Sequence, residues 1–457
     1  MTATTTAISV DRNPVFPKAE LNRFLNWAFV WILLANAGFI AMWFVGAPPR
    51  YLEIGIIGFT GLIVKRFAPW VQWIAFVAVM SYSMLSFVGG LFNLNISSLI
   101  YSLQFFAELK PDSSIEYIIV SILAVVTMVV AFWLLRRPGN FSNPWLIILS
   151  GGLIMGLATA DFAMGQGMRG HYKRSAPAGA FFESATGQTE FAARADGKRH
   201  LVLIMVESLG VPQDNQAMSD KLFAYYENSA IQQRYDVSKG TSLYYNSTTA
   251  GEVREMCGRW GDYYELVEAK DDSCMPAQLA AKGYATQAMH SFQGGFFKRN
   301  EWYPNIGFQQ QEFWPDLQKR GAEWCGGVFA GACDRQIPKL LAENLKQTKQ
   351  PTFLYWLTLN AHLPVPTGLN LNVDDCQKVS PVLAKDFPMI CRQIAIFDDI
   401  DRALIAEITA SDFPEADILI VGDHMPPYYD RHHRSQFDPE RVPWLYLKHK
   451  GAATPES

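Results

Sequence analysis

Five side chains with metal-binding or proton-transfer chemistry follow short apolar runs in the C-terminal half of the sequence. They are Glu207, His290, His362 and the adjacent pair Asp423 and His424. A single glutamate or histidine in such a position is more often a solvated, capping or structural residue. A carboxylate beside an imidazole directly after a buried run is more specific, because both groups are standard ligands of divalent metal ions. The combination predicts a divalent metal site that includes Glu207, Asp423 and His424.

A hydroxyl nucleophile for such a site is available in the segment Gly240–Gly258, where Ser247, Thr248 and Thr249 open a predicted helix. A helix N-terminus offers free N–H groups to a phosphate, and a metal-bound hydroxyl loses its proton more easily. Taken alone, these residues would be an ordinary N-cap. The metal-site residues elsewhere favour a nucleophile, without choosing among the three hydroxyls.

These residues need a scaffold that brings strand ends together. Four apolar runs separated by helical stretches are predicted strands: Leu201–Val206, Tyr284–Met289, Thr352–Leu359 and Ala416–Val421. Near-continuous apolar strands that alternate with helices predict an α/β domain with a mostly parallel central sheet covered by helices. Functional residues in such sheets gather beyond the carboxyl ends of the strands. The five side chains are therefore expected to converge at one edge of the sheet.

The first third of the chain has the composition of a membrane domain. Charged residues make up only 18% of the 457 residues, against about 25% in soluble proteins, and long stretches before residue 165 contain none. A membrane-spanning helix needs about 20 apolar residues. Five helices are predicted, the second completed by interfacial Leu52-Glu53: residues 24–45, 51–65, 67–91, 117–135 and 144–162.

This pattern divides the chain into a transmembrane α-helical bundle at 1–163, a linker at 164–198 and an extracytoplasmic catalytic domain at 199–457. The linker is rich in Gly, Ala and Ser. The polar-studded apolar segment Asn93–Leu109 is either an amphipathic helix on the outer membrane surface, where it could touch a lipid substrate, or a connecting loop.

Basic residues predict the orientation of this bundle. They precede the first helix and occur between the second and third and between the fourth and fifth helices, as Lys18 and Arg23, Lys65-Arg66, and Arg136-Arg137. The positive-inside rule puts these groups in the cytoplasm, and five spans then place the catalytic domain outside. Four spans would place it in the cytosol. The net charge of −4 gives no basic excess for binding nucleic acid.

All six cysteines lie in the predicted catalytic domain: Cys257, Cys274, Cys325, Cys333, Cys376 and Cys391. An even number confined to one region predicts three disulfides in an oxidising compartment. Pairing of sequence neighbours is the simplest of the 15 connectivities that six cysteines allow. A zinc cluster is the alternative, although the sequence contains no C-x-x-C motif.

The order strand–Glu-Ser, Thr before a helix, His-x-Pro and Gly-Asp-His resembles the alkaline phosphatase superfamily, whose members share a sulfatase-like domain. More narrowly, the chain is similar to membrane-anchored phosphoglycerol and phosphoethanolamine transferases, of which the lipoteichoic acid synthases are one group. The resemblance implies a multi-pass protein of the bacterial inner membrane with its catalytic domain in the periplasm. It also implies a phospholipid donor and an exported glycan or lipid A-type acceptor.

The resemblance assigns roles to individual residues. Thr248 matches the nucleophile, which is also a metal ligand, and Glu207, Asp423 and His424 match the remaining ligands. The implied ion is divalent, zinc or manganese ahead of magnesium. Glu252 follows the nucleophile by four residues as in the lipoteichoic acid synthases, and Cys257-Gly258 is similar to the glucan phosphoglycerol transferases.

Further matches concern the substrate. Phe297-Lys298-Arg299 resembles the Trp-Asn-Arg substrate segment of the lipoteichoic acid synthases, with Phe297 in place of tryptophan. His362 matches a histidine that contacts the phosphoryl group, and His290 is assigned a similar part. The segment Cys325–Arg335 is similar to a cysteine-bounded loop of phosphoethanolamine transferases, so the two substrate classes compete.

Several alternatives remain open at this point. Thr249 is the fallback nucleophile, and His433 is a possible second-site residue for an acceptor or leaving group. Cys274 begins a near match to the sulfatase signature C-x-P-x-R, but Gln278 replaces its arginine. The predicted function is metal-dependent transfer of a phospholipid head group through a covalent phospho-Thr248 intermediate. The alternatives are a phosphodiesterase or sulfatase-type hydrolase and a non-catalytic lipid-binding regulator.

Overall fold

The computed structural model describes residues 17–44, 49–92, 115–165, 176–428 and 431–451. The chain divides into two compact units, Met1–Val88 with Ile119–Met168, and Gly89–Ile118 with Arg169–Ser457. The first unit is helical and the second has an α/β fold. The predicted surface segment Asn93–Leu109 lies outside the described residues.

The described part of the helical unit consists of five apolar helices. They are α1 (Lys18–Ala41), α2 (Tyr51–Val64), α3 (Pro69–Phe92), α4 (Ile115–Leu134) and α5 (Pro144–Gly165). By length and composition, three described stretches can cross a membrane: Lys18–Ala41, Pro69–Gly89 and Pro144–Met164. The apolar stretches Tyr51–Val64 and Ile118–Leu134 are shorter. Three described stretches therefore reach full spanning length, and five membrane-spanning helices stay a prediction.

Glycines let α2 pack closely within this unit. A Cβ atom at Gly61 would lie 2.4 Å from the Trp31 ring of the first helix, and one at Gly58 would lie 2.5 Å from Ile154 of α5. Small residues at helix contacts are typical of membrane bundles, because close backbone approach maximises van der Waals contact. These contacts explain how a helix of 14 residues is held in the bundle.

The α/β unit is built on a seven-stranded sheet in the order β2-β9-β8-β1-β7-β3-β4. Its strands are β1 (His200–Val206), β2 (Tyr235–Leu243), β3 (Ala285–His290), β4 (Gln310–Glu312), β7 (Thr352–Leu357), β8 (Ala416–Gly422) and β9 (Arg441–His449). Strand β9 runs antiparallel to the other six strands, which are parallel to one another. The short strands β5 (Trp324–Cys325) and β6 (Gly331–Ala332) form a separate hairpin. The predicted mostly parallel α/β sheet is confirmed.

The central strands form the core of this unit. Every residue of β1, β7 and β8 is buried. Because alternate side chains of a strand point to opposite faces, this burial means that both faces of the sheet are covered.

The described α-helices of this unit follow in chain order. They are α6 (Ala185–Gln188), α7 (Gln216–Ser219), α8 (Ser229–Arg234), α9 (Thr248–Cys257), α10 (Tyr264–Glu268), α11 (Met275–Ala281), α12 (Arg299–Asn305), α13 (Trp314–Lys319), α14 (Ile337–Gln347), α15 (Pro381–Asp386), α16 (Pro388–Ile408) and α17 (Arg431–Arg434).

The second half of the predicted linker is packed structure. Ala185 and Phe191 are fully buried in the core of the α/β unit. The backbone N–H groups of Ala185 and Thr186 donate to the Glu255 carboxylate of α9 at 3.2 and 2.9 Å. The Gly- and Ala-rich composition suggested a linker because it lacks long apolar runs, yet single buried residues anchor the segment from residue 176 onward.

Three disulfides join sequence neighbours in the α/β unit: Cys257–Cys274, Cys325–Cys333 and Cys376–Cys391. The first ties the end of α9 to the start of α11, and the second closes the β5–β6 hairpin. All six cysteines are thereby used, so a zinc cluster of free thiolates does not form.

Candidate active site

Three metal-binding side chains meet at the carboxyl ends of neighbouring strands. Val206 of β1 pairs with Gly422 of β8, so the two residues that follow, Glu207 and Asp423, emerge side by side. His424 comes next in the chain. All three are buried, and one ligand atom from each lies within 4.8 Å of the others. The sheet thus brings together residues more than 200 positions apart in the sequence.

Thr248 is the hydroxyl that faces this cluster. Its Oγ1 lies 3.2 Å from Glu207 Oε2 and 3.2 Å from His424 Nε2. Ser247 is the N-cap of α9 but makes no side-chain capping bond. Thr249, the alternative nucleophile, is buried and donates its hydroxyl hydrogen to Asp262 at 2.6 Å. The geometry therefore favours Thr248 over its neighbour.

The ring hydrogen of His424 is on Nδ1, so the lone pair of Nε2 faces the cluster. Its Nδ1 lies 2.9 Å from the carbonyl oxygen of Met425, and because a carbonyl only accepts, this nitrogen carries the ring hydrogen. Burial lowers the pKa of His424, so Nε2 is unprotonated. This nitrogen lies 3.2 Å from Asp423 Oδ2. Two electron-rich atoms therefore face each other across the site.

The charges of the cluster fit a divalent cation. Burial and the negative charge of Asp423 raise the pKa of Glu207 well above its usual value. Asp423 Oδ2 is buried and has no hydrogen-bond donor among the described residues. A buried carboxylate oxygen in this state is costly unless a cation neutralises it. Glu207, Asp423, His424 and Thr248 would hold such an ion, since carboxylate, imidazole and hydroxyl groups are ligands of divalent metals.

Ser208 and Thr358 hold Glu207 and Asp423 in position. The Ser208 N–H donates to Asp423 Oδ1 at 2.8 Å, and its Oγ donates to Glu207 Oε1 at 2.8 Å. Thr358 Oγ1 accepts from the Glu207 N–H at 2.9 Å. Ser208 adopts a positive φ of 57°, which bends the chain back toward the site. Sequence analysis assigned no role to either residue, although Ser208 directly follows the predicted ligand.

Arg254 is a further supporting residue that sequence analysis missed. It is buried within α9 and donates to the carbonyl oxygens of Gly422 and Asp423 at 2.9 and 3.2 Å. Its Nε donates to Glu255 at 2.7 Å. The arginine thus fixes the backbone that carries the ligands to the helix that carries Thr248. No sequence signal singles it out, because a charged residue in a polar helix is normally exposed.

Gly251 permits the close contact between that helix and the ligand strand. A Cβ atom at this position would lie 3.3 Å from the Cα, Cβ and carbonyl oxygen of Asp423. This spacing is tighter than most real contacts of a Cβ atom. The glycine one turn after Thr248 therefore allows α9 to approach the end of β8.

Glu252 and Arg299 form a buried ion pair beside the cluster. Nε and Nη2 of Arg299 donate to Glu252 Oε2 at 3.1 and 2.9 Å, and the hydroxyls of Tyr303 and Tyr355 donate to Oε1. Burial opposes ionisation of Arg299, but the charge of Glu252 raises its pKa overall. Nη1 has only a long contact, 3.4 Å to the Phe296 carbonyl. A phosphoryl contact for Arg299 stays a prediction.

His290 and His362 share the protonation pattern of His424. Their Nδ1 atoms lie 3.1 Å from the Leu357 carbonyl oxygen and 2.9 Å from that of Leu363. Burial lowers the pKa of both rings, that of His362 to about 3. Each ring is therefore neutral with an unprotonated Nε2, which accepts rather than donates a hydrogen bond. Their contact with a phosphoryl group stays a prediction.

Phe297 packs against both the main core and a small aromatic cluster beside it. The cluster consists of Phe292, Phe296, Phe297 and Phe329, with neighbouring ring centroids 4.3 to 5.6 Å apart. Phe329 also contacts the ring of His362 at 4.4 Å. The cluster thus links the predicted substrate segment to the histidine that follows β7.

The cysteine-bounded loop Cys325–Cys333 leads to a buried carboxylate that joins two strand ends. Asp334 accepts hydrogen bonds from Ser291 Oγ at 2.6 Å and from the N–H groups of Leu359 and Asn360 at 2.8 and 2.6 Å. Ser291 follows β3, and the other two residues follow β7. Asp334 therefore fixes the segments that carry His290 and His362, a role that the sequence did not indicate.

Two other candidate residues, His433 and Cys274, do not belong to the cluster of Glu207, Asp423 and His424. The ring of His433 packs against Phe387 and Tyr428, with centroids 5.5 and 5.4 Å away, and its role stays a prediction. Cys274 is bonded to Cys257 and is therefore not available as a sulfatase-type nucleophile.

A model of the sulfatase family matches residues 199–449. The chain belongs to the sulfatase family. The predicted membership of the alkaline phosphatase superfamily is thereby confirmed, and this superfamily consists of metal-dependent enzymes. The matched residues of this chain, 199–449, include every residue of the metal cluster.

Over 157 residues the chain is 29% identical to a putative cyclic beta-1,2-glucan modification protein of Rhizobium meliloti. This match covers 32% of the chain and 22% of that protein, so less than a quarter of the relative's length is compared.

Solved structures with a similar arrangement include a lipoteichoic acid synthase, LtaP, from Listeria monocytogenes, with 18% identity, a TM-score of 0.44 and coverage of 58% of this chain and 68% of that one. Another is the phosphoglycerol transferase GacH of Streptococcus pyogenes in complex with sn-glycerol-1-phosphate, with 16% identity, a TM-score of 0.36 and coverage of 56% and 72%. The C-terminal periplasmic domain of EcEptC from Escherichia coli has 14% identity, a TM-score of 0.37 and coverage of 56% and 74%.

Proposed function

We propose that this sulfatase-family protein transfers a phospholipid head group, phosphoglycerol or phosphoethanolamine, to an exported glycan or glycolipid. The observation that carries the proposal is the position of Thr248. Its hydroxyl lies at a helix N-terminus, 3.2 Å from both Glu207 and His424. A hydroxyl placed among metal ligands and free helix N–H groups suits attack on a phosphorus atom.

The first step is transfer to the protein. Glu207, Asp423, His424 and Thr248 would hold a divalent ion, which would supply Lewis-acid stabilisation of negative charge at the Thr248 oxygen and the phosphoryl group. Thr248 Oγ1 forms a bond to phosphorus while the bond from phosphorus to the glycerol oxygen of diacylglycerol breaks. Thr248 loses a proton and the departing diacylglycerol gains one, so the step is balanced. The head group then remains on Thr248 as a phosphodiester.

The second step passes the head group to the acceptor. A hydroxyl of the acceptor forms a bond to phosphorus, and the bond to Thr248 Oγ1 breaks as this oxygen regains a proton. His362 has an unprotonated Nε2, which can accept a hydrogen bond from the attacking hydroxyl. Its pKa of about 3 makes the ring a weak base, so we assign it to orienting this hydroxyl rather than to holding its proton.

Donor and acceptor classes follow from the chain's other features. Helices long and apolar enough to cross a membrane suit a donor that is itself a lipid, since both partners then share the bilayer. The relative named as a cyclic beta-1,2-glucan modification protein supports a glycan as acceptor. We place the catalytic unit in the periplasm of a bacterium, anchored in the inner membrane by several passes.

The test is covalent labelling of Thr248. Purified, metal-loaded protein is incubated with phosphatidylglycerol or phosphatidylethanolamine and analysed by peptide mass spectrometry. We expect a head-group adduct on the peptide that contains Thr248, and the lipid that produces it identifies the head group. Thr248→Ala should abolish adduct and turnover, whereas Thr249→Ala should keep the adduct because its hydroxyl is directed to Asp262.

The outcomes separate the competing functions. An adduct that is released only to water in the presence of glycan acceptors would support a hydrolase. No adduct with either lipid, in protein shown to hold its metal, would contradict the transferase mechanism. Full transfer by Thr248→Ala would remove the nucleophile assignment.

A further inference from the structure

The helical unit contains a buried cationic side chain that is not explained by packing alone. Arg50 precedes α2 and is only 3% exposed. Its guanidinium carbon lies 3.4 Å from the centroid of the Phe39 ring. An arginine in an apolar bundle is energetically costly, and such residues usually serve a binding or transport function.

The polar contacts of this guanidinium leave one of its donors unsatisfied. Nη1 donates to Asn36 Oδ1 at 3.5 Å and Nη2 donates to Ser83 Oγ. Nε is buried without a hydrogen-bond partner among the described residues. No ion pair within 4 Å joins this guanidinium to a carboxylate in that part of the chain. A buried donor in this state is costly, and an acceptor group of a ligand would satisfy it.

Two carboxylates lie close to this arginine but make other contacts. Asp161 of α5, 4% exposed, accepts from the backbone N–H of Arg50 and from Trp43 Nε1, the latter at 2.8 Å. Glu53, one turn into α2, accepts from Ser86. The cluster therefore presents one positive and two negative charges. A ligand that carries a phosphate and an ammonium group would match both signs, whereas a purely anionic ligand would be repelled by the carboxylates.

The position of the cluster along the helices is that of a lipid head group. Arg50 immediately precedes α2, Asp161 lies in the last turns of α5, and Ser83 lies in the second half of α3. The basic residues adjoin the opposite ends of these helices. By the positive-inside rule, the side of Arg50 and Asp161 is therefore the outer side of the membrane. Tyr51 and Phe162, both exposed, form an edge-to-face pair with centroids 5.5 Å apart, as expected for aromatic residues at a membrane interface.

We propose that Arg50, Asp161 and Glu53 form a binding site for the zwitterionic head group of a phospholipid such as phosphatidylethanolamine. Arg50 Nε binds the phosphate, and the two carboxylates receive the ammonium group. The inference rests on the proposed function in one respect only, that the bound lipid is the donor. It then selects phosphoethanolamine over phosphoglycerol as the group transferred.

The test measures lipid binding without turnover. The full chain carrying Thr248→Ala is purified in detergent with phosphatidylethanolamine, phosphatidylglycerol or diacylglycerol added, and retained lipid is counted by native mass spectrometry. We expect retention of phosphatidylethanolamine over the other two lipids. Adding Arg50→Met should lower this retention about tenfold, the effect of losing one charge-assisted contact. Arg23→Met, at the other end of the bundle, serves as the matched control.

Folding of the variants is controlled by a second substitution. Arg50→Lys keeps the positive charge and removes Nε, so it should fold and retain less phosphatidylethanolamine than the parent. Unchanged retention in Arg50→Met or Arg50→Lys would overturn the proposal, as would equal retention of phosphatidylglycerol by the parent. Because Thr248 is absent throughout, these results do not depend on whether the chain catalyses transfer.

Discussion

At the residue scale, two adjacent threonines have opposite surroundings. Thr248 faces the metal-binding side chains, while Thr249 donates to Asp262. The same carboxylate accepts from Asn246 Nδ2 at 3.0 Å, and Asn246 has a positive φ of 64°. Asp262 therefore holds the chain on both sides of Thr248, which makes it a positioning residue for the nucleophile.

This arrangement predicts a specific kinetic effect of Asp262→Ala. Because the substitution frees both flanks of Thr248, we expect kcat to fall by about 10- to 100-fold, the effect of misplacing a reacting group by about 1 Å. KM for the lipid should change little, since Asp262 is assigned no contact with it. Steady-state kinetics with Asp272→Ala, an exposed neighbour, as control provide the measurement. A lower melting temperature with unchanged kcat would show that Asp262 has only a structural role.

At the element scale, strand order decides which predicted residues meet. The sequence was sufficient to predict β1, β3, β7 and β8, because each is an apolar run that precedes a polar residue. It did not indicate β2 or β9. β2 has mostly exposed or half-buried residues, so it lacks the pattern of a buried strand. β9 contains a buried apolar run, residues 442–447, but Pro443 interrupts it, and proline is unusual inside a strand.

The site residues that could be predicted from sequence are those that directly follow strands. Glu207, Asp423 and His424 could be found because the ends of adjacent parallel strands lie close together in a sheet. Arg254, Ser208 and Asp334 could not, since their roles depend on contacts between segments distant in sequence.

Asp334 gives a prediction about pH at this scale. Burial raises the pKa of Asp334 to about 6 from the 3.8 usual for aspartate, so the folded protein binds this proton more tightly than the unfolded chain. Its contribution to stability is complete below about pH 4 and is lost as pH rises through 6. Between about pH 4 and 7, the free energy of unfolding of the wild type should therefore fall by about 2 kcal/mol relative to Asp334→Asn.

Denaturant unfolding of the full chain in detergent, followed by near-UV circular dichroism across this pH range, measures the difference. Asp316→Asn, at a more exposed carboxylate, should give a curve parallel to that of the wild type. A parallel curve for Asp334→Asn would contradict the assignment of a raised pKa to Asp334.

At the scale of the whole molecule, disulfides and basic residues give the same orientation. Six cysteines form three disulfides in the α/β unit, which requires an oxidising compartment. By the positive-inside rule, the basic residues between the helices are predicted to face the cytoplasm. Both observations support a catalytic unit outside the cytoplasmic membrane.

Cysteine labelling in intact cells tests this topology, because the wild type has no free thiol to give a background. A membrane-impermeant maleimide should label Ser273→Cys, an exposed position of the α/β unit. Arg66→Cys, between α2 and α3, should react only after the cells are permeabilised. Labelling in the reverse order would contradict the predicted orientation.

Gly251 has a consequence for recognising function in related chains. With no side chain at this position, the helix that carries the nucleophile can lie against the backbone of Asp423. A long or branched side chain here would push the helix away from Asp423, whereas an alanine would require a shift of only a few tenths of an ångström. A relative that retains the threonine, glutamate, aspartate and histidine but carries a bulky residue here is therefore expected to be a pseudoenzyme, and this single position offers a criterion for sorting active members from inactive ones.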